Sequence, residues 1–213
     1  MFKYPHKKLI GNKKKKSSAR WIERHINDYF VVLSRKDGYR SRASFKILEI
    51  DKKFNIFKKG IKVLDLGSSP GGWSQVAVDK VGKGNVTAID ILQMDEIDGV
   101  NFLQLDILSA NIFEKINEEF ETVMSDMAAN TTGDKNTDHI RTMELAETAF
   151  NFATKTLKEG GTFITKIFQG RDEPPFFLKC KKHFTDVKRF KPSSSRKESI
   201  ESYIIARGFI KNY

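Results

Sequence analysis

The run Val63-Leu64-Asp65-Leu66-Gly67-Ser68-Ser69-Pro70-Gly71-Gly72-Trp73 constrains the fold more than any other segment of the chain. Val63, Leu64 and Leu66 read as a buried parallel strand, and Pro70, Gly71 and Gly72 as a turn opening a helix over 73–81. A strand, a glycine turn and a helix in that order bring bare backbone N–H groups to a helix N-terminus, where a carboxylate or phosphate is favoured. A dinucleotide fingerprint starting at Gly67 needs a glycine where Ser69 stands. A different adenosine-bearing cofactor is therefore expected.

The remaining chain repeats the alternation. Strands are predicted at 62–66, 85–89, 100–104, 121–125 and 162–167, with late strands at 184–190 and 202–207 around a polar loop at 191–199. Helices are predicted at 20–32 and at 41–54, the second with Ser41 as N-cap. A further helix carries Ile140, Met143, Ala146, Phe150, Ala153 and Leu157 on one face and stops at Gly160-Gly161. Residues 128–137 and 169–175 lack periodicity and follow strand ends, as ligand-binding loops do in open α/β sheets. The expected class is α/β, with a mostly parallel central sheet covered by helices on both faces.

With 213 residues and 39% hydrophobic content, the chain can bury one sizeable core. The expected organisation is a flexible lysine-rich segment over 1–18 and a single domain over 19–213. No apolar run approaches the roughly 18 residues needed to span a bilayer, and the start has no signal-peptide core. Cys180 is alone and the four histidines are scattered, so neither a disulfide nor a metal site is expected. These features fit a cytoplasmic protein without membrane attachment, expected as a monomer.

The formal charge of +11 is placed very unevenly. Residues 1–46 hold fourteen Lys and Arg against Glu23, Asp28 and Asp37, which accounts for the whole excess. Such an arm suits a polyphosphate partner bound through counterion release. Over 19–56, Trp21, Tyr29, Phe30 and Tyr39 interleave with the charges, a combination that fits an RNA-binding helical part, with Arg20, Arg40 and Arg42 expected at phosphates.

Several single residues stand at strand ends. Asp90 lies about 20 residues beyond the glycine turn, where a carboxylate accepts from ribose hydroxyls. Asp106 is placed to accept from an adenine amino group, or else to cap a helix. Trp73 either packs on the cofactor or plugs its helix against the sheet. Asp126 follows the apolar strand that ends in Ser125, and Lys166 closes another, where an unpaired ammonium would be costly to bury. Glu201 and Lys46 mean little when taken singly.

Taken together, the segments 17–21, 39–46, 65–73 and 124–128 closely resemble the bacterial FtsJ family, over roughly residues 17–210. The resemblance implies a Rossmann-like S-adenosylmethionine-dependent methyltransferase fold. It also implies S-adenosyl-L-methionine as cofactor and methylation of a uridine ribose 2′-hydroxyl in 23S ribosomal RNA of the large ribosomal subunit. The family's Lys-Asp-Lys-Glu tetrad falls on Lys46, Asp126, Lys166 and Glu201, and its cofactor residues on Gly71, Trp73, Asp90, Asp106 and Asp126. Lys166 is then either the base for the hydroxyl proton or, with Lys46, a group that orients the hydroxyl. Ala129 departs from the family pattern, which has proline before Asn130, and leaves the rigidity of that loop open. The alternatives are a transfer RNA ribose methyltransferase, a non-catalytic RNA-binding module, and a nicotinamide oxidoreductase sharing the sheet and Asp90.

Overall fold

The computed structural model describes residues 28–109 and 112–211. The elements run α1 (Tyr29–Lys36), α2 (Ser44–Phe54), β1 (Val63–Leu66), α3 (Gly72–Val81), β2 (Val86–Asp90), β3 (Val100–Gln104) and α4 (Ile112–Lys115). They continue as β4 (Phe120–Ser125), α5 (Lys135–Thr156), β5 (Leu157–Phe168), α6 (Glu173–His183), β6 (Phe184–Phe190) and β7 (Glu201–Phe209). The seven strands form one sheet in the order β3-β2-β1-β4-β5-β7-β6. The first five are mutually parallel, and β7 runs antiparallel to both β5 and β6. The strand order reverses beside β1, so the crevice above its C-terminal end is the topological switch point of the sheet.

Alternation along the strands sorts the core into two layers. Leu64, Leu66, Val123, Phe163 and Ile204 face α5 and α6, where Ala146, Ala149, Phe150 and Phe176 fill the space. Val63, Met124, Ile164, Tyr203 and Ile205 face the other way, against Ile47 and Ile50 of α2 and Trp73, Val76 and Ala77 of α3. Phe150 is the hub of the first layer, its ring meeting Phe163, Phe176 and Phe184 edge-on.

Four local expectations are corrected. Of the helix predicted over 20–32, the described part is broken at Asp28, which is extended and accepts from the Phe30 N–H at 3.1 Å as an N-cap; a helix then runs past Val32 to Lys36. Residues 1–27, including the expected flexible segment and Arg20, lie outside the described residues. The second helix starts at Ser44 rather than Ser41. Ser41 does not cap it: its carbonyl accepts from Ser44, while its hydroxyl is pressed against Gly72, where a Cβ would come within 2.3 Å of it.

Gly160-Gly161 does not end α5, which stops at Thr156 with Leu157 already extended. The glycines sit inside β5, Gly160 at φ +77°, where the register against β4 shifts between Phe120 and Thr122. They make a bulge. Helix α6 stands where the sequence shows no helical period, because only Glu173, Phe176 and Cys180 of it are buried. Pro174 and Pro175 lie in its first turn, where a missing N–H costs nothing.

Phe150→Ala is expected to lower unfolding stability by about 3–5 kcal/mol. Ile140, predicted on the core face but 50% exposed, should tolerate alanine within about 0.5 kcal/mol. Urea unfolding of both variants checks the pair.

Candidate active site

Strand parity brings the distant candidates together. Asp126 follows Met124 by two residues, Lys166 follows Ile164 by two, and Glu201 precedes Tyr203 by two, so all three keep the parity of the face that α2 covers. In the antiparallel register Lys166 lies opposite Tyr203. Lys46 descends onto the same place from α2, one residue before the core contact Ile47.

The four side chains meet as alternating charges. Lys166 Nζ donates to the Asp126 carbonyl at 2.6 Å and to Asp126 Oδ1 at 3.1 Å. Lys46 Nζ lies 2.7 Å from Glu201 Oε1 and 3.8 Å from Asp126 Oδ2. Both lysines are buried, at 8% and 5% exposure for Lys46 and Lys166. Two cations against two anions make the cluster neutral, which is the condition for keeping such charges out of water. Tyr203, fully buried, donates its hydroxyl to Asp126 Oδ1 at 2.7 Å and packs its ring on Trp73 at 5.6 Å. No sequence signal marked Tyr203, which reads there as one more core aromatic.

The protonation of this cluster follows from its partners. Burial pushes the Asp126 carboxyl up, but the charges of Lys166 and Lys46 and the hydrogen bonds from Tyr203 and Lys166 outweigh it, holding Asp126 below the usual carboxylate range. Burial first, and then the Asp126 and Glu201 charges, raise the Tyr203 phenol well above its ordinary value. Tyr203 therefore stays a donor.

Asp126 also lines a cleft of about 460 Å³ at the switch point. Its walls include Gly67, Ser69, Asp90, Asp106 and Met127, and its size suits a small-molecule cofactor. Asp90 accepts from the Ser69 N–H through Oδ2 and from the Leu92 N–H through Oδ1, both at 2.8 Å, so it ties the glycine turn to the end of β2. Asp106 accepts from Leu108 N–H through Oδ1 at 2.9 Å, and Oδ2 makes no hydrogen bond among the described residues. No helix starts at Asp106, so the capping alternative is not realised. Ile91, Leu92 and Leu108, each more than 60% exposed, rim the cleft with apolar surface that a flat heterocycle would cover. Carboxylates for hydroxyl and amino donors beside an apolar slot fit an adenosine-bearing cofactor.

A family model described as FtsJ-like methyltransferase matches residues 39–209. The chain belongs to the FtsJ-like methyltransferase family. It is similar to a Rhodopseudomonas palustris protein named ribosomal RNA large subunit methyltransferase E, 48% identical over 93% of this chain and 87% of the relative. A Bradyrhizobium diazoefficiens protein of the same name is also 48% identical, over 93% of this chain and 91% of that one. A solved structure from Plasmodium falciparum, assigned as a ribosomal RNA methyltransferase, superposes with a TM-score of 0.72 at 30% identity, covering 82% of this chain and all of that one. The family implies a methyl donor and makes the chain an enzyme, a methyltransferase with a seven-stranded, mostly parallel sheet.

Within this FtsJ-like frame the candidate residues divide. Asp90, Asp106 and Asp126 reach the cleft, and Lys46, Asp126, Lys166 and Glu201 form one cluster that shares Asp126 with it. Gly71 adopts φ +104°, and a Cβ there would meet Ile97 at 2.7 Å, so it shapes the turn. The Trp73 indole takes the packing alternative: it is buried and donates Nε1–H to the Ala43 carbonyl at 2.9 Å. Arg40 and Arg42 are not the free phosphate contacts their surroundings predicted. Arg40 donates to the carbonyls of Pro70 at 3.3 Å, Asp95 at 2.6 Å and Glu96 at 2.5 Å, stapling the glycine turn to the loop after β2. Arg42 pairs with Asp28 and donates to the Ser194 carbonyl. The interleaved aromatics are partly a packing cluster, Phe45 meeting Phe30 and Tyr39 at 5.3 and 5.5 Å. The loop containing Ala129 is held from α5, where Asp138 accepts from Thr132 and Gly133 and Arg141 donates to the Asn130 carbonyl.

Asp65 lies beneath the site, fully buried, and accepts from Ser74 Oγ at 2.6 Å. Burial, with the charges of Asp126 and Asp90, pushes its carboxyl up to about 7 against the opposing Ser74 hydrogen bond. The native state thus keeps a proton that an unfolded aspartate, titrating near ~3.9, has lost. Stability should fall as pH rises from about 4 to about 7, by something on the order of 4 kcal/mol. The depressed Asp126 carboxyl acts in the opposite direction and only below about pH 4, where protonation removes its contribution. In Asp65→Asn the decline between pH 4 and 7 should be absent, as denaturant melts across that range would reveal; an unchanged decline contradicts the assignment.

Proposed function

We propose that the chain transfers a methyl group from S-adenosyl-L-methionine to the ribose 2′-hydroxyl of a uridine in 23S ribosomal RNA of the large ribosomal subunit. The observation that carries this reading is the pair of buried lysines held between Asp126 and Glu201 beside the cleft. A ribose hydroxyl is a weak nucleophile until its proton is taken or loosened, and a positioned amine at a water-poor site does that. The names of the relatives favour ribosomal over transfer RNA. Exposed Arg35 and Lys36 at the end of α1 are available to phosphates. No helix among the described residues is long and apolar enough to cross a membrane, and a cytoplasmic site of action goes with a ribosomal substrate.

Asp90 and Asp106 would hold ribose hydroxyls and the adenine amino group of the cofactor, with Leu92 and Leu108 against its rings. When bound, S-adenosylmethionine supplies the electrophilic methyl group, its carbon–sulfur bond breaking as the bond to ribose O2′ forms. To serve as the base, Lys166 must first release one ammonium proton to solvent; the amine then commits its two remaining hydrogens to Asp126 and keeps its lone pair for the hydroxyl proton. Lys46, held by Glu201, supports the developing negative charge on that oxygen.

The test is transfer of labelled methyl to total RNA and to isolated ribosomal subunits, with the modified ribose mapped. Label in large-subunit RNA as 2′-O-methyluridine is expected; label confined to transfer RNA, or to a base, overturns the reading. Lys166→Ala should slow transfer by at least about 100-fold while cofactor affinity is retained. Lys166→Arg keeps charge and donors but gives up no proton. It should be as inactive as the alanine variant if Lys166 is the base, and substantially active if it only orients the hydroxyl.

A further inference from the structure

The loop over 191–199, with its run Pro192-Ser193-Ser194-Ser195-Arg196, has no part in the site described above. It is nevertheless seated with care. Glu49 of α2 accepts three hydrogen bonds from it: the Ser193 N–H at 2.6 Å and hydroxyl at 2.8 Å through Oε2, and the Ser194 N–H at 2.8 Å through Oε1. Arg42 grips the Ser194 carbonyl from the same side, and Asp28 accepts from both Arg42 and Arg196. One residue further, the Ser195 N–H donates to the Pro192 carbonyl at 3.0 Å, and Ser195 Oγ donates to Glu201 Oε1 at 3.0 Å.

We propose that Ser195 is a positioning residue for methyl transfer: held by the Glu49 seat, its hydroxyl fixes the Glu201 carboxylate that holds Lys46 in the tetrad. This inference rests on the methyltransferase reading given above. The hydrogen count supports it. Glu201 Oε1 is approached by Lys46 Nζ at 2.7 Å, by Ser195 Oγ at 3.0 Å and by the Tyr203 hydroxyl at 3.4 Å. Tyr203 has a single proton, and Asp126 takes it at 2.7 Å. The neutral donor left to orient Glu201 is Ser195, whose residue is 6% exposed and shielded from competing water.

Helix α2 thereby sets the tetrad twice, directly through Lys46 and indirectly through Glu49, one turn further on and therefore on the same face. A loop displaced by a fraction of an ångström would move Glu201 away from Lys46, and misplacements of that order cost rate more than binding.

The prediction is specific to alignment. Ser195→Ala should lower kcat by about 10-fold, with KM for RNA and the Kd for S-adenosylmethionine each within about 2-fold of wild type, a hydrogen bond to a charged group being worth roughly that factor or more. Ser195→Thr, which keeps the hydroxyl, should recover most of the rate. Because Ser195 acts through Glu201, adding Ser195→Ala to Glu201→Gln should cost nothing further in single-turnover rate. Glu49→Gln, which weakens the seat without emptying it, should fall between wild type and Ser195→Ala.

Equal losses in the presence and absence of the Glu201 carboxylate overturn the proposal, as does a Ser195→Ala effect confined to KM or to the melting temperature. A wild-type enzyme that transfers no methyl to any RNA sinks the function itself rather than this inference. In that case, chemical-shift or crystallographic comparison of Glu201 in Ser195→Ala still decides whether the hydroxyl holds it.

Discussion

The ionised carboxylate of Asp126 is the interaction on which the site depends. It sits where β4 leaves the sheet, largely shielded from water at the edge of the cleft, and burial alone would push it towards the neutral form. Lys166, Lys46 and the Tyr203 hydroxyl reverse that outcome. The reciprocal statement is as important: two lysines at the ends of apolar elements are tolerable only because Asp126 and Glu201 stand beside them. Removing one charge leaves its partner buried and unpaired, so the cluster survives or fails as a unit.

The same carboxylate joins the two halves of the enzyme. On one side it lines the cleft with Asp90 and Asp106; on the other it anchors the lysine that faces the RNA ribose in the proposed reaction. The sheet makes this junction inexpensive. Parallel strands β1, β2 and β4 end together at the switch point, while the reversed β7 brings Glu201 and Tyr203 back beside Lys166. Asp65, one strand away and close enough for the Asp126 charge to raise it, titrates near 7, so below that pH it adds no further anion beside Asp126 and Asp90. Arg40 extends the connection outwards by fastening the segment before α2 to the glycine turn.

Much of this was legible in the chain. The strands at 100–104 and 184–190 fall where apolar runs bounded by turn residues place them, and the glycine turn announced the cleft. Lys46 and Glu201 carried no signal of their own; 155 positions apart in sequence, they are joined by the register of β5 and β7 and the docking of α2, and their roles came through the family resemblance. Gly160 misled because a positive-φ glycine ends a helix or bulges a strand equally well. Arg40 and Arg42 misled because composition does not say whether a guanidinium points to solvent or turns back on carbonyls. Tyr203 and Ser195 were hidden by ordinary surroundings, a core strand and a polar loop, and only hydrogen-bond geometry separates them from their neighbours.

The central claim concerns the charge on one buried atom group, and it is directly observable. Carboxyl-carbon NMR of aspartate-labelled protein across pH 3 to 9, with Asp126→Asn and Asp65→Asn as assignments, reads each carboxyl in place. The account predicts that Asp126 stays ionised down to the acid limit of the folded protein, while Asp65 titrates near 7. An Asp126 carboxyl that carries a proton at neutral pH would contradict it, because neither lysine would then have the anion that keeps it in the site.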